Sequence, residues 1–387
     1  MTWPKAKKIM KKRLPVMMVL LAGVVHAQTE KFLPLQLAVL RAGDGIISQQ
    51  LKQAPIFIDQ FDPNSFNPAP VFTVPIPTNG PNSFFFNGRA ATEGLLTRST
   101  DQRLLAFAGY GGINLFEKPG TPSLLDIQRG FCTVDATGAI HTFLYPAHDV
   151  NEKVNPRGVA TDGTNHFWGC GNAGGTLYYN PAASKSTVQF QPFQNSRAAK
   201  IINGTLYITL NGPDGKAIDE PAGIYRFTDS SGNALSLPRQ TDAVIDLVIP
   251  TAEPFTKIAG FDMNPAKSIA YTADTVAGIQ KYVKSGGAWK MAYNFAIPQT
   301  IPAAENHGTG CFGLVVDFSG SAPVIYATTT EGWDGSVNSN RVVRIVDTNA
   351  TAAVTTVAQA PGDKIAFRGI DFTPESGTIS AAKPSAA

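Results

Sequence analysis

Residues 155–180, NPRGVATDGTNHFWGCGNAGGTLYYN, decide the fold. They read as three extended runs, 157–161, 166–169 and 176–179. Asp162-Gly163 turns the first run into the second, and a Gly-rich loop separates the second from the third. β-branched and aromatic residues fill the runs while Gly, Asp and Asn fill the gaps, which is the pattern of an antiparallel meander. Loose copies recur along the chain. The first strand of each copy is expected at EGLLTR (93–98), RGVATD (157–162), RAAKII (197–202), AGFDMN (259–264), GLVVDF (313–318) and RGIDFT (368–373). Second strands include RLLAFAG from Arg103 and VIYATT from Val324, third strands GIYRF from Gly223 and RVVRIV from Arg341. Fourth strands include WKMAYNF from Trp289 and AVIDLVI from Ala243. In AVIDLVI the two-residue period puts Ala243, Ile245, Leu247 and Ile249 on one face and Val244, Asp246 and Val248 on the other. Asp246 alone is polar, so this strand is expected to be covered on both sides.

The sixth copy is split. After RGIDFT the chain runs into Ser, Ala and Pro, whereas three strands without a first strand stand near the other end: LQLAVLRAG from Leu35, PIFIDQF from Pro55 and VFTVPIP from Val71. Joining the two ends closes a ring and leaves no long sheet edge exposed. The reading is an all-β, six-bladed β-propeller of about 60 residues per blade. A seventh blade stays open, because loops 79–92 and 109–130 are long enough to hold irregular strands.

EGLLTRSTDQRLLAFAGYGG, NPRGVATDGTNHFWGCGN, GIQKYVKSGGAW and AFRGIDFTPE resemble the units of secreted bacterial β-propellers, most of them without an assigned function. The resemblance covers nearly all of the chain after its leader. It implies the fold and export, and it transfers no catalytic residues. In architecture alone the chain also resembles the NHL, YVTN and gluconolactonase-like propellers.

Residues 1–27 are expected to lie outside the fold. Six bases between Lys5 and Arg13 precede an apolar stretch, 14–25, and Val25-His26-Ala27 has the form of a cleavage site. That order is a secretory signal. The domain boundaries that follow are a leader over 1–27, one propeller over 28–375 and a disordered tail over 376–387, with the product secreted or periplasmic. Removing the leader changes the charge. The chain has 32 Lys+Arg and 29 Asp+Glu; without the six leader bases the balance is 26 − 29, or −3. Nothing in that balance favours nucleic acid or an anionic membrane surface. No later stretch is apolar enough to span a bilayer, and the mature chain is expected to be a monomer. Cys132, Cys170 and Cys311 allow one disulfide at most and read as small buried residues.

No nucleophile elbow and no H-E-x-x-H occurs. His141 and His166 fall in strands and read as structural. Gly109-Tyr110-Gly111-Gly112 has no helix after it to hold a phosphate. Asp62 and Asn64 read as an Asx turn. Asp214, Asp219 and Glu220 share one loop with oxygens of the kind that Ca²⁺ takes, but the calcium-loop pattern is missing, so no metal ligand is assigned and the cofactor stays unknown.

Aligning the six first strands is more informative. They open on Glu93, Arg157, Arg197, Ala259, Gly313 and Arg368, which propeller symmetry brings to one mouth of the central channel. Loops on the same face carry Phe84, Phe85, Phe86, Arg89, His148, Asp149, Glu152, Glu305 and His307, together with Tyr110, Phe116, Asp219, Trp333 and Asp334. The expected site therefore gathers Arg157, Arg197, Arg368, Glu305, Trp333 and Tyr110 around a small polar or anionic ligand, such as an acidic saccharide. A lyase or hydrolase acting on an acidic saccharide or a lactone is the alternative. There His307 or His148 would be the base, Glu93 or Glu305 the acid, and the arginines would neutralise a carboxylate. A protein-interaction scaffold using rim loops is the third class, and the fold does not decide among them. The structural alternative for the arginines is that each braces neighbouring blades through carbonyls or Glu93. The export reading predicts that mass spectrometry of the periplasmic or medium protein gives a chain starting at Gln28. A full-length cytoplasmic product would refute it.

Overall fold

A computed structural model describes residue 1 and residues 31–46, 53–88, 90–111, 127–145, 155–172, 176–183, 187–190, 195–212, 220–239, 242–251, 253–300, 308–332 and 340–376. The expected leader, apart from residue 1, and the expected tail beyond 376 lie outside them. The described residues form strands arranged in six small antiparallel sheets, the blades of a propeller. Blade I holds β4 (Phe84–Phe85), β5 (Leu96–Arg98), β6 (Leu104–Gly111), β7 (Gln128–Asp135) and β8 (Ile140–Tyr145). Blade II is β9 (Pro156–Thr161), β10 (Phe167–Gly171), β11 (Thr176–Tyr179) and β12 (Thr187–Phe190). Blade III is β13 (Ser196–Ile202), β14 (Thr205–Leu210), β15 (Gly223–Thr228), β16 (Ala234–Leu235) and β17 (Val244–Pro250). Blade IV is β18 (Ile258–Met263), β19 (Ile269–Asp274), β20 (Gly278–Ser285) and β21 (Ala288–Phe295). Blade V is β22 (Cys311–Asp317), β23 (Val324–Thr329), β24 (Arg341–Val346) and β25 (Val354–Gln359).

Blade VI joins the two halves of the split copy. Its inner strand is β26 (Ala366–Phe372), and its outer strands are β1 (Leu37–Ala42), β2 (Ile56–Phe61) and β3 (Phe72–Pro75). β26 pairs antiparallel with β1 from Leu37↔Phe372 to Ala42↔Ala366. The inner strands pack in order around the axis, β5, β9, β13, β18, β22, β26 and back to β5. No seventh sheet occurs among the described residues; the short strand found in 79–92 pairs β6 and belongs to blade I.

Two expectations change. Phe84, Phe85 and Phe86 are buried in the core instead of facing a ligand, because β4 adds to β6 and turns them inward. The strand from Ala243 is not covered on both sides. It forms the outer edge of blade III as β17, with Val244 and Leu247 exposed, since no sheet lies beyond it. The three cysteines are buried, unpaired and in separate blades, and burial pushes the Cys170 thiol up to about 12. Asp62 does cap an Asx turn, accepting the Asn64 amide at 2.9 Å.

Five of the six inner strands carry a bulge at the same place. The register of each skips at Arg157, between Ser196 and Ala199, between Ile258 and Phe261, between Cys311 and Leu314, or between Phe367 and Ile370. A bulge inserts one residue and re-aims the side chains there. It also lets the strands crowd the axis. A Cβ placed on Gly369 would lie 2.1 Å from the Leu96 nitrogen and 2.6 Å from the Gly94 oxygen. Gly158, Gly260 and Gly313 press in the same way on the next blade's backbone. Gly369→Ala is therefore expected to destabilise by about 1–3 kcal/mol, the usual cost of overpacking. Gly362→Ala, with nothing within 4 Å of its Cβ, should stay within about 0.5 kcal/mol of wild type. Denaturant melts of both variants check this.

Candidate functional site

The bulges decide where the channel's charged residues point. With each bulge aligned, the opening ring is Glu93, Arg157, Arg197, Ala259, Phe312 and Arg368. Phe312 takes the place expected of Gly313, because the bulge of β22 spans Phe312 and Gly313 as those of β13 and β26 span Arg197-Ala198 and Arg368-Gly369. The polar members occupy blades VI, I, II and III consecutively, and Ala259 and Phe312 fill the other two.

Glu93 is 1% exposed. One carboxylate oxygen accepts the Tyr110 hydroxyl at 2.8 Å and the other accepts the Asn87 amide at 2.9 Å. Burial pushes its pKa from 4.5 up to about 8, although Tyr110, Asn87, Arg368 and Arg157 all pull it down. Tyr110 is itself fully buried, stacked on Phe85 and lying under the Arg129 guanidinium. Its hydroxyl meets the channel end at Glu93. Arg157 donates to the Asn195 side-chain oxygen at 2.6 Å and to the Ser196 carbonyl at 3.4 Å, both in the stretch entering blade III. Arg368 donates to the Ala91 carbonyl, from blade VI to blade I. The structure thus brings Glu93, Arg157, Arg368 and Tyr110 together, with the two arginines also bracing neighbouring blades. Arg197 holds the equivalent position in β13. Arg89, Phe116, His148, Asp149, Glu152, Asp214, Asp219, Glu305, His307, Trp333 and Asp334 lie outside the described residues. His141 is on the exposed side of β8, and His166 meets the Tyr178 hydroxyl at 2.6 Å in blade II; neither is at this end. No group of three potential metal ligands occurs among the described residues.

The opposite end of the inner strands holds a second charged group. Lys200 of blade III reaches Asp262 of blade IV at 3.2 Å and Asp371 of blade VI at 3.7 Å. Burial alone would lower the Lys200 pKa, but the two carboxylates raise it above its ordinary value. Burial and then Asp371 raise Asp262, against the pull of Lys200. Asp262 also accepts the Val316 amide of blade V at 3.0 Å, and Asp371 the Arg98 amide of blade I at 2.9 Å. These groups line a cavity of about 410 Å³ together with Arg98, Asp317, Phe318 and Phe372. Between the two ends lies a space of about 10 Å³, walled by Leu95, Ala198, Phe261 and Leu314 among others. The ends are separate sites and not two mouths of one pore. The sequence held a signal for this second end. Lys200, Asp262 and Asp371 each stand three residues after Arg197, Ala259 and Arg368, so the alignment that found the arginines also contained them.

The fold and these two polar ends define the class, a six-bladed β-propeller with a plugged axis. No family model matches the chain, and no characterised protein matches it in sequence. Among solved structures it is similar to a putative 6-phosphogluconolactonase from Bacteroides uniformis ATCC 8492, at 13% identity over 84% of this chain and 83% of that one, with a TM-score of 0.45. It is also similar to a chain of the nidogen/laminin complex, at 10% identity over 86% and 97% with a TM-score of 0.48. A putative 6-phosphogluconolactonase from Bacteroides fragilis NCTC 9343 gives 12% identity over 83% and 81%, with a TM-score of 0.42. Likenesses at this level add nothing to the reading of either end, which rests on the residues themselves.

Glu93 gives stability a pH dependence. Between pH 4.5 and about 8 the folded chain keeps a proton on Glu93 that the unfolded chain has lost. Stability therefore falls with rising pH across that window, by up to about 1.4 kcal/mol per unit from this group. Below the window both states are protonated and the group is neutral to pH. Glu93→Gln keeps the shape without the titration. The stability of wild type relative to this variant, followed by denaturant melts, should drop from pH 5 to pH 8. Parallel profiles would contradict the raised value.

Proposed function

We propose that this propeller binds a small, neutral, polyhydroxylated ligand, a saccharide or sugar lactone, in the cavity at the Lys200 end of its axis. The observation that supports the reading is the cavity itself. Its volume of about 410 Å³ falls within the usual range for small-molecule sites, roughly 300–1,000 Å³, and polar groups converge in it beside apolar surface. Thr97, Ser99 and Asn203 offer hydroxyl and amide groups, while Phe318 and Phe372 add ring surface. Three aspartates, Asp262, Asp317 and Asp371, stand against two cations, Lys200 and Arg98. That surplus of carboxylates disfavours an anion here and favours a neutral ligand.

A second reading belongs to the Glu93 end and is favoured by one observation, the carboxyl raised to about 8 beside Arg157 and Arg368. There an anionic saccharide or a lactone would meet guanidinium groups, and Glu93 would hold the proton that a general acid needs at neutral pH. His307 or His148 would have to supply the base. The two readings separate in one experiment. Neutral sugars, hexuronates and sugar lactones are titrated calorimetrically into wild type, Lys200→Met and Arg197→Ala, with a melt of each protein alongside. The first reading expects a neutral sugar to bind, with affinity lost by about tenfold or more in Lys200→Met, as for a lost hydrogen bond to a charged group, and kept in Arg197→Ala. Loss confined to Arg197→Ala moves the site to the other end. If Arg197→Ala loses only melting temperature, that arginine is a brace.

A further inference from the structure

Away from the axis, where blade III meets blade IV, a cleft of about 150 Å³ is lined by Arg226, Lys267, Lys284, Tyr207, Thr205 and Trp289 among others. Three cations converge there from three different elements. Arg226 stands on β15, Lys267 in the turn between β18 and β19, and Lys284 on β20. Lys267 crosses the gap between the blades and donates to the Thr205 hydroxyl at 2.9 Å, its ammonium 5.6 Å from the Tyr207 ring centre. The Lys284 ammonium lies 6.0 Å from the Trp289 ring centre. The one carboxylate paired with any of the three among the described residues is Asp246, 2.7 Å from Arg226. Among the described residues, three positive charges stand against one paired negative charge, an excess of +2. Burial first, then Arg226 and Lys284, lower the pKa of Lys267, the direction expected when like charges are held together.

The backbone at Lys267 is left-handed as well. Its φ is 55°, in the region that favours glycine, and the matching turn of blade I holds Gln102 at the same place with φ 62°. A lysine there costs about 1–2 kcal/mol of backbone strain relative to glycine. The turn itself does not need the side chain, because the bond that closes it runs between backbone atoms, Lys267 N to Asn264 O at 2.8 Å. What the lysine adds is an ammonium carried into the cleft. Neighbouring hydroxyls of Thr205, Tyr207 and Ser236 add uncharged donors.

We propose that this inter-blade cleft is a binding site for a dianionic tetrahedral oxyanion, a phosphate group held by Lys267, Lys284 and Arg226, with Trp289 flanking whatever the phosphate is attached to. The volume suits one phosphate group and little more, and the charge of the group matches the +2 excess among the described residues. Ammonium and guanidinium donors around a partly desolvated anion form the stronger class of hydrogen bond. The site shares only Met263 as a wall with the cavity at the Lys200 end, and it stands or falls without regard to what that cavity holds.

The test is calorimetric titration of the full chain with inorganic phosphate against sodium chloride of equal ionic strength, repeated with phenyl phosphate. Saturable phosphate binding is expected at one site per chain. Lys267→Gly and Lys284→Gln should each weaken it by about tenfold or more, the loss expected when a charged partner is removed. Lys267→Gly is the discriminating variant. Glycine relieves the left-handed strain, so the protein should melt no lower than wild type while losing phosphate. Tighter binding of phenyl phosphate identifies a monoester as the ligand, and equal binding identifies the free ion. Heat that sodium chloride reproduces, or a Lys267→Gly/Lys284→Gln protein that binds phosphate as wild type does, overturns the proposal.

Discussion

Around the axis each blade is tied to the next by a hydrogen bond between or onto inner strands. The Leu95 amide reaches the Arg157 carbonyl, and the Cys170 thiol reaches the Ala198 carbonyl. The Thr209 hydroxyl, which accepts from the Ala198 amide of its own blade, donates to the Ala259 carbonyl of the next. Asp262 accepts from Val316, Thr328 repeats the Thr209 arrangement with Gly313 and Arg368, and the Gly369 amide closes on the Gly94 carbonyl. Such bonds need the strands nearly in contact, and the bulges and side-chain-free positions at the axis supply that room. Polar backbone buried this deeply must be paired, since each orphaned group costs on the order of 1–3 kcal/mol.

The same crowding explains why the axis is plugged and the polar groups sit at its ends. Where the inner strands are closest, Leu95, Ala198, Phe261 and Leu314 meet around a space of only about 10 Å³. Charged groups gather on either side of this apolar disc. At one end the guanidiniums of Arg157 and Arg368 double as braces. At the other, Lys200 bridges carboxylates from two further blades. A buried ion pair of that kind adds little net stability compared with an apolar replacement, whereas losing one partner is costly. Its persistence beside a cavity makes it a better marker of a binding site than of a stabilising device.

Much of the fold was legible because a propeller repeats. A strand that is ambiguous by itself becomes firm when RGVATD, RAAKII and RGIDFT line up, and the split sixth copy could be joined for the same reason. The limits were equally physical. β17 looked buried because its apolar residues alternate with other apolar residues, yet an outermost strand faces solvent whatever its period. Phe84–Phe86 looked like rim aromatics because a two-residue strand gives no periodic signal. The candidate site was half legible. Position within the repeat located Glu93 and the arginines, but not that Arg157 would find Asn195 or that Glu93 would be sealed in with Tyr110. Lys200, Asp262 and Asp371 stand mid-strand, where a single charged residue in each repeat carries no sign that the fold will bring the three together at one end of the axis. The cleft beside Trp289 lies between blades and brings together residues far apart in sequence, which no alignment of copies displays.

The pairing of β1 with β26 also has a consequence in time. Leu37 and Phe372 are partners, so a chain made from its N-terminus holds three strands of the final blade long before their inner strand exists. Until then β1 presents a free edge able to pair with another molecule. Contacts this distant in sequence also close slowly, because the loop entropy is lost before the contact forms. The ring therefore becomes a ring last of all, and the interval between synthesis and that final pairing is when a chaperone would have something to hold.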